Sequence, residues 1–425
     1  MLKQLVSVTA LGSAAVLAAA AAVQAHHRND DDLNALLETP ALWDEDNADA
    51  DDPAIWIDPE DPGDSLVITA AKEAGIYVYD LEGDEVQYIA PRPAPSEDDK
   101  PGRYNNVDLV RGFDLDGEEV DLAVASDRGM DTLGVFAIDA ETGELTDVTD
   151  PAGAPIFTGS QEEINEAHTV YGLTTWTDES GAYALVSRNA ETEVALLKLG
   201  ATGSGAVGWE TVRSIALPAE FAMPDGTSWT PCDDPGEYAQ VEGMVVDKTR
   251  GVAYLGQEQV GIWRVGADLT GEPELVDTAI EYGLPSVFDP ETEECVPGEN
   301  PGFGGDVLHT DVEGLTIYYT GRGKGYLLAS SQGDNTYAVY EIEGGNDYLG
   351  SFAIESGRVD STQSSDGADV VNTSLPGFDG GLLVVQDGDN TPEGSEESST
   401  NFKFLAWEDV AEDSGLDLDE ARGRR

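Results

Sequence analysis

The chain has 425 residues, 85 of them Asp or Glu against 21 Lys or Arg, for a formal net charge of −64 at pH 7. That balance excludes binding to nucleic acid or to an anionic membrane through bulk electrostatics, because both polyanions are repelled. The length admits two or three ordinary domains or one large closed β architecture, and the acidity fits a surface adapted to high salt, divalent-cation binding, or both.

In chain order, residues 1–25 carry Lys3, an apolar Ala-rich stretch and the ending Ala22-Val-Gln-Ala25, the pattern of a signal peptide with a small-x-small cleavage site. The mature chain then starts near His26, and a secreted or periplasmic location is expected. Residues 26–37 read as an N-terminal tail, 38–410 as one β domain and 411–425 as a C-terminal tail, with 391–400 a mobile loop. The run Asp49-Ala-Asp-Asp-Pro-Ala-Ile-Trp56 places three carboxylates within four residues at the entrance of an apolar strand. Crowded carboxylates repel one another, so such a run is either a solvated turn with a proline stop or one side of a site for a hard, oxygen-liganded cation such as Ca²⁺.

From there a strand, a Gly/Asp turn and a second strand ending in small or polar residues recur six times. The pairs are Ala54–Ile57 with Leu66–Thr69, Val107–Leu109 with Asp121–Ser126, and Val170–Leu173 with Tyr183–Ser187. They continue as Glu242–Val246 with Val252–Leu255, Glu313–Ile317 with Tyr326–Ser330, and Ala368–Val371 with Leu382–Val385. A third strand usually follows, as in Gly75–Tyr79, Gly134–Ile138 and Phe402–Trp407. The second strands recur at intervals of about 55 to 75 residues, and no convincing amphipathic helix intervenes, which predicts an all-β, six-bladed β-propeller with four-stranded blades. Two β-sandwiches are the alternative, but they give no reason for six similar units. The segment around Pro40–Trp43 is expected to supply a strand to the last blade and close the ring.

In a propeller the first strand of each blade lines the channel, so the residues at its entrance converge on one face. Those residues are Asp51, Asp52, Asn106, Asp108, Tyr171, Glu242, Asp311, Glu313, Asp366 and Asp369. Glu258, Asp387 and Asp389 end second strands near the same rim. Basic residues are rare, yet Lys72, Arg128 and Arg188 each lie just past the second strand of blades 1, 2 and 3. Each could be a salt-bridge partner of an acidic rim; as a set, cations facing carboxylates across a channel mouth point to metal ions plus a polyanionic ligand, most simply phosphate. Four histidines, with no pair at metal spacing, argue against zinc chemistry. Neither cysteine is followed by the phosphate loop of a cysteine phosphatase, and no P-loop or Gly-x-Ser-x-Gly elbow occurs. Cys232 and Cys295 lie in Pro/Gly/acid-rich insertions and read as a loop disulfide in an oxidising compartment, or as two free thiols.

Several stretches together resemble the β-propeller phytases, calcium-dependent secreted phosphatases acting on inositol hexakisphosphate. They are Asp51–Trp56, Asn105-Asn-Val-Asp108, Val170-Tyr-Gly172, Val241-Glu-Gly-Met244, Asp311–Tyr319, Gly325–Gly333, Gln386-Asp-Gly388 and Asn401-Phe-Lys403. The resemblance implies several Ca²⁺ ions as cofactor. It implies Asp52, Glu242, Glu258, Asp311 and Glu313, with Asp51 beside them, as ligands over the channel mouth. Asp360, Asp387 and Asp389, with Asn106 and Asp108 nearby, would hold more buried, stabilising ions. Lys72, Arg128 and Tyr171 match the phosphate contacts, and Arg188 is assigned a further one, although it stands where the family carries a lysine-bearing loop. Glu73 likewise stands where the family often has a second lysine.

The expected activity is a monomeric phytase that hydrolyses phytate by direct attack of a calcium-activated water, with Glu242, Asp311, Glu313, Lys72 and Arg128 as the catalytic set. The rival readings are a calcium-dependent propeller lactonase, which would need an apolar pocket with little cationic lining, and a non-catalytic calcium-stabilised binding propeller.

Overall fold

The computed structural model describes residues 32–43, 48–292, 294–392, 395 and 397–418. The expected signal peptide, residues 26–31 of the expected N-terminal tail and the end of the C-terminal tail lie outside the described residues.

Six four-stranded antiparallel sheets follow one another as the blades of a propeller. Blade 1 runs Pro53–Trp56, Leu66–Ala70, Ile76–Tyr79 and Glu85–Ile89, and blade 2 runs Tyr104–Leu115, Glu118–Asp127, Thr132–Ile138 and Leu145–Asp147. Blade 3 is built from Val170–Asp178, Gly181–Arg188, Glu193–Ala201 and Val207–Ala216, and blade 4 from Val241–Asp247, Val252–Gln257, Gly261–Gly266 and Glu274–Thr278. Blade 5 comprises Val312–Gly321, Lys324–Ser331, Thr336–Glu341 and Tyr348–Ala353. Blade 6 takes Ala368–Val371, Leu382–Asn390 and Ser399–Ala406 from the C-terminal end of the chain and its outer strand, Leu37–Glu38, from the N-terminal end.

Inner strands are apolar on both sides because each blade is sandwiched between two others. All five residues of Leu66–Ala70 are buried, whereas the outer strand Glu85–Ile89 is largely exposed. Among the described residues the buried side chains form six clusters, and each joins two consecutive blades. One cluster unites Trp56 and Ile68 of blade 1 with Leu109 and Phe136 of blade 2, and another unites Leu382 and Phe404 of blade 6 with Ile55 and Val67 of blade 1. The ring is therefore held together by burial between neighbours, a non-directional term of about 25 cal/mol per Å² of apolar surface.

Ring closure falls a few residues earlier than the sequence suggests. Leu37 pairs with Phe404 and Glu38 with Lys403, while Leu42 makes a single bridge to Thr400. Leu33 and Ala35, within the segment expected to be a tail, are buried against blades 5 and 6. The register is fixed by charge. Lys403 is wholly buried, and its ammonium meets Glu38, Asp360, Asp387 at 3.1 Å and the Asn390 Oδ1 at 2.9 Å. A slip by one residue would turn Lys403 and Glu38 to opposite faces of the sheet. At the other end, a helix over Trp407–Ser414 buries Trp407, Val410 and Ala411, so ordered structure extends into the segment expected to be the C-terminal tail.

Two hairpins lie outside the blades. Phe221–Ala222 pairs with Ser228–Trp229 between blades 3 and 4, and Ser286–Asp289 pairs with Glu294–Pro297 between blades 4 and 5. The Cys232–Cys295 disulfide links these two insertions. No helix among the described residues is long and apolar enough to cross a membrane.

Candidate active site at the channel mouth

The functional side chains converge because the first strands are irregular at one repeated place. In blade 2 the pairing with the second strand skips from Tyr104 to Val107, in blade 3 from Val170 to Leu173, in blade 4 from Val241 to Met244, and in blade 5 from Val312 to Leu315. The residues left out of register are Asn105-Asn106, Tyr171-Gly172, Glu242-Gly243 and Glu313-Gly314. Bulges of this kind bend the strand and re-aim a side chain, and here they turn one polar residue per blade into the mouth of the channel. The glycines that follow let the blades crowd together. A Cβ on Gly172 would lie 2.1 Å from the carbonyl oxygen of Glu242, and one on Gly243 would lie 2.1 Å from that of Glu313. Gly314 and Gly367 make the same close approach to the next blade.

The result is a buried carboxylate cluster. Glu242, Glu258 and Glu313 each present an oxygen within 4.8 Å of the others, and all three are buried. Glu242 is held at both oxygens: Asn105 Nδ2 donates to Oε1 at 2.7 Å, and the Tyr171 hydroxyl donates to Oε2. Glu258 Oε1, Glu313 Oε2 and Asp51 Oδ2 are buried with no hydrogen-bond partner. Burial pushes the Glu258 carboxyl well up, with Asp311 and Glu242 adding to the effect, and pushes Glu313 well up together with Glu242 and Glu258. Asp311 is raised to about 6 by burial and by Asp233, Glu242 and Glu281. Asp51 is raised well by burial, and the neighbouring Lys72 only partly counters this. Orphaned buried anions of this density require a cation or a proton. An all-oxygen donor set fits a hard divalent ion such as Ca²⁺.

Two cationic side chains border the cluster. Lys72 Nζ lies 2.7 Å from Asp49 and 3.4 Å from both Asp51 and Asp366. Burial works against its charge, but Asp51, Asp366 and Asp49 outweigh it and the ammonium is held well above its ordinary pKa. Asp366 is raised to about 7 by burial, and Gln332 donates to its other oxygen at 2.8 Å. Arg128 stacks its guanidinium 4.8 Å above the Tyr171 ring, has a buried Nε without a partner, and makes no ion pair among the described residues. Burial, then Arg103, lowers its pKa. A desolvated guanidinium backed by an aromatic ring is poised to take up phosphate oxygens in its fork.

The other residues singled out from the sequence border the cluster or lie away from it. Asp52, half-buried and with its pKa raised well by desolvation, accepts the Val107 N–H at 3.1 Å; Asp369 and Asp108 are its strongest anionic neighbours, in that order. Asp108 Oδ2 accepts from Thr174 Oγ1 at 2.9 Å and from the Thr175 N–H at 2.6 Å, and its Oδ1 accepts the Leu109 N–H at 2.6 Å, so both its oxygens, like those of Asp369, are engaged within the channel. Asn106 accepts from Asn105 Nδ2 at 3.2 Å beside the cluster. Asp360 and Asp387 are gathered around Lys403, and Asp389 accepts from Ser398. Arg188 is turned away from the cluster: its Nε donates to the His168 carbonyl at 3.0 Å, its Nη1 lies 3.8 Å from Glu193, and its guanidinium faces the Phe157 ring. The Arg-bearing turn is thus spent on bracing the connection between blades 2 and 3. Asn105 and Gln332 lie in stretches that resembled the family and Asp49 opens the acidic run before the first of them, but their individual contacts at the site emerge only from the structure.

The phytase family profile matches residues 1–225 and 295–423. The chain belongs to the phytase family. It is similar to the 3-phytase of Bacillus subtilis (strain 168), with 34% identity over 390 residues, covering 90% of this chain and 85% of that protein. In this phytase the bulged strands of blades 2 to 5 carry the carboxylates and the phenol of the channel mouth, and Lys72 and Arg128 border them.

Proposed function

We propose that this phytase, which hydrolyses the phosphate monoesters of inositol hexakisphosphate, does so with several Ca²⁺ ions held at the channel mouth by Glu242, Glu258, Asp311 and Glu313, with Asp51, Asp52 and Asp366 around them. The observation that supports this reading best is the trio of buried glutamates whose oxygens lie within 4.8 Å of one another, two of them with an orphaned oxygen. Bound there, Ca²⁺ would offset the negative field, accept phosphate oxygens and ease deprotonation of a water molecule.

The chain's own groups do the rest. Asn105 and Tyr171 lock the Glu242 carboxylate by hydrogen bonds to its two oxygens, so it needs no reorganisation when the substrate arrives. Arg128, kept over the Tyr171 ring, is oriented to hold the equatorial oxygens of the reacting phosphoryl group. Lys72 lies on the Asp49/Asp51/Asp366 side, where its ammonium can share those carboxylates with an incoming phosphate. Among the described residues the cluster pairs no Ser, Cys or His with a base, and the Tyr171 hydroxyl is engaged in fixing Glu242, which favours direct attack by water over a covalent phosphoenzyme. Export through the 1–25 leader and a monomeric state remain parts of the same proposal.

The test is inorganic phosphate release from phytate at neutral pH, with excess Ca²⁺ and with EGTA, for the wild type and Glu242→Gln. Release is expected only with Ca²⁺, and the variant should lose about 10³-fold in rate because it removes a group fixed at the reacting centre. Equal release in EGTA would defeat the cation requirement, and a normal rate in Glu242→Gln would defeat the assignment of the site.

A further inference from the structure

The Asp311 side chain accepts no hydrogen bond among the described residues, so its place is set by the backbone that carries it. That backbone is tied at four consecutive residues. The His309 N–H donates to Ser331 Oγ at 2.8 Å, and the Thr310 N–H donates to Glu281 Oε2 at 3.2 Å. The Asp311 carbonyl accepts the Gln332 N–H at 3.0 Å, and the Val312 N–H donates to the Glu258 carbonyl at 3.0 Å, which sets this segment directly against the glutamate cluster. On the carbonyl side of Thr310 the space is closed by Gly333, where a Cβ would lie 2.1 Å from the oxygen. Ser331, Gln332 and Glu258 are attached to the blade sheets themselves. Glu281 is different, because it comes from the connection between blades 4 and 5.

Glu281 grips the turn with both oxygens. While Oε2 takes the Thr310 N–H, Oε1 lies 2.8 Å from His309 Nδ1, and a carboxylate serves as the acceptor in both bonds. Two bonds from one side chain to adjacent residues fix the turn in orientation as well as in position. The segment bearing Glu281 is itself immobilised. The Ile280 N–H donates to the Leu308 carbonyl at 2.7 Å, and the Tyr282 ring packs on Phe221 at 5.3 Å and on Trp229 at 4.9 Å between centroids. Trp229 Nε1 donates to the Leu284 carbonyl at 2.8 Å, and the Cys232–Cys295 disulfide joins the same two insertions. Trp229, Glu281 and Tyr282 all fall between the two stretches that the family profile matches, so this brace is supplied from outside them.

We propose that Glu281 is a positioning residue for Asp311: it clamps the His309–Thr310 turn, and so transmits the order of the disulfide-linked insertions to a carboxylate at the channel mouth. This rests on the reading above that Asp311 works in the site. Glu281 acts through its reach and not through its charge, because a neutral amide of the same length also offers an oxygen to the Thr310 N–H.

The experiment measures kcat and KM for phytate in saturating Ca²⁺ at neutral pH for the wild type, Glu281→Gln, Glu281→Asp, Asp311→Asn and the double variant Glu281→Asp/Asp311→Asn. Glu281 is half-exposed, so neither substitution opens the core, and calorimetry checks that every variant is folded. Glu281→Asp, one methylene too short to hold both bonds, should lose about tenfold in kcat with KM within about twofold, as a misplaced group at a reacting centre does. Glu281→Gln should stay within about threefold of the wild type, and Glu281→Asp should cost nothing further once Asp311 is already Asn, since coupled residues do not add. A wild-type kcat in Glu281→Asp would overturn the positioning role while leaving the reading of Asp311 intact. A folded Glu281→Gln as slow as Glu281→Asp would mean that charge matters and not reach, which also overturns it. So would a tenfold loss repeated in the Asp311→Asn background, because Glu281 would then act independently. A wild-type rate in Asp311→Asn would overturn the reading of Asp311 and this proposal with it.

Discussion

Asp311→Asn should stabilise the protein in a chelator at neutral pH and do nothing for it in acid. The Asp311 side chain accepts no hydrogen bond among the described residues, so an isosteric amide sacrifices none, and its carboxyl is pushed from an ordinary 3.8 up to about 6 by burial and by Asp233, Glu242 and Glu281. The sign follows from linkage: a carboxyl whose folded pKa is raised contributes stability that is whole below pH 3.8 and is lost as pH rises through about 6. At about 1.4 kcal/mol per pKa unit, the ionised wild-type group costs about 3 kcal/mol at neutral pH, which the amide avoids. With an unfolding entropy of about 0.8 kcal/mol/K for a chain of this length, that is a rise of about 4 °C in melting temperature. The assay is scanning calorimetry of both proteins in EGTA at pH 4, 5, 6 and 7.5. The difference should be near zero at pH 4 and grow across the window. In saturating Ca²⁺ the advantage should disappear, because the wild type gains about 2.7 kcal/mol at a hundredfold excess over Kd that a protein with a missing ligand forfeits. A variant that is less stable than the wild type in EGTA at pH 7.5, or a difference that does not vary with pH, would refute the reasoning.

Arg128→Ala should lower kcat/KM for phytate by about 10²-fold while leaving Ca²⁺ affinity within a factor of a few, since the guanidinium stacks on Tyr171 and pairs with no carboxylate among the described residues; steady-state kinetics beside calcium titration checks this, and an unchanged kcat/KM would remove Arg128 from the phosphate site. Lys403→Met should cost about 3 to 5 kcal/mol, because it strips the shared cation from the buried or half-buried Glu38, Asp360 and Asp387. Denaturant melts measure the loss, and hydrogen exchange should show the Leu37–Glu38 strand opening first; a variant as stable as the wild type would mean that apolar packing alone closes the ring. Arg188→Ala should leave KM for phytate unchanged, since the side chain braces the His168 loop; a large rise in KM would return Arg188 to the substrate site.

The sequence by itself determined the ring of blades. Strand-turn-strand units with apolar second strands, such as Leu66–Ala70 and Leu382–Val385, can bury their faces only against copies of themselves, so six of them in succession specify the architecture. It also determined which residues share the channel mouth, because the entrance of a first strand is the same place in every blade, and Glu242, Glu313 and Tyr171 met there as expected. What only the tertiary structure decided depends on contacts between segments far apart in the chain. A lysine in Asn-Phe-Lys403 is an ordinary surface residue until the N-terminal strand folds back and encloses it with Glu38. Arg188 and Arg128 occupy equivalent turns, yet one is drawn to the His168 carbonyl and the other to the Tyr171 ring, a choice made by the neighbouring loops. Cys232 and Cys295, 63 residues apart, read in the sequence as a bridge or as two free thiols, and only the fold brings them together into a disulfide. Local pattern is written in period and composition, whereas the field at a buried carboxylate is the sum over whatever the whole fold places around it.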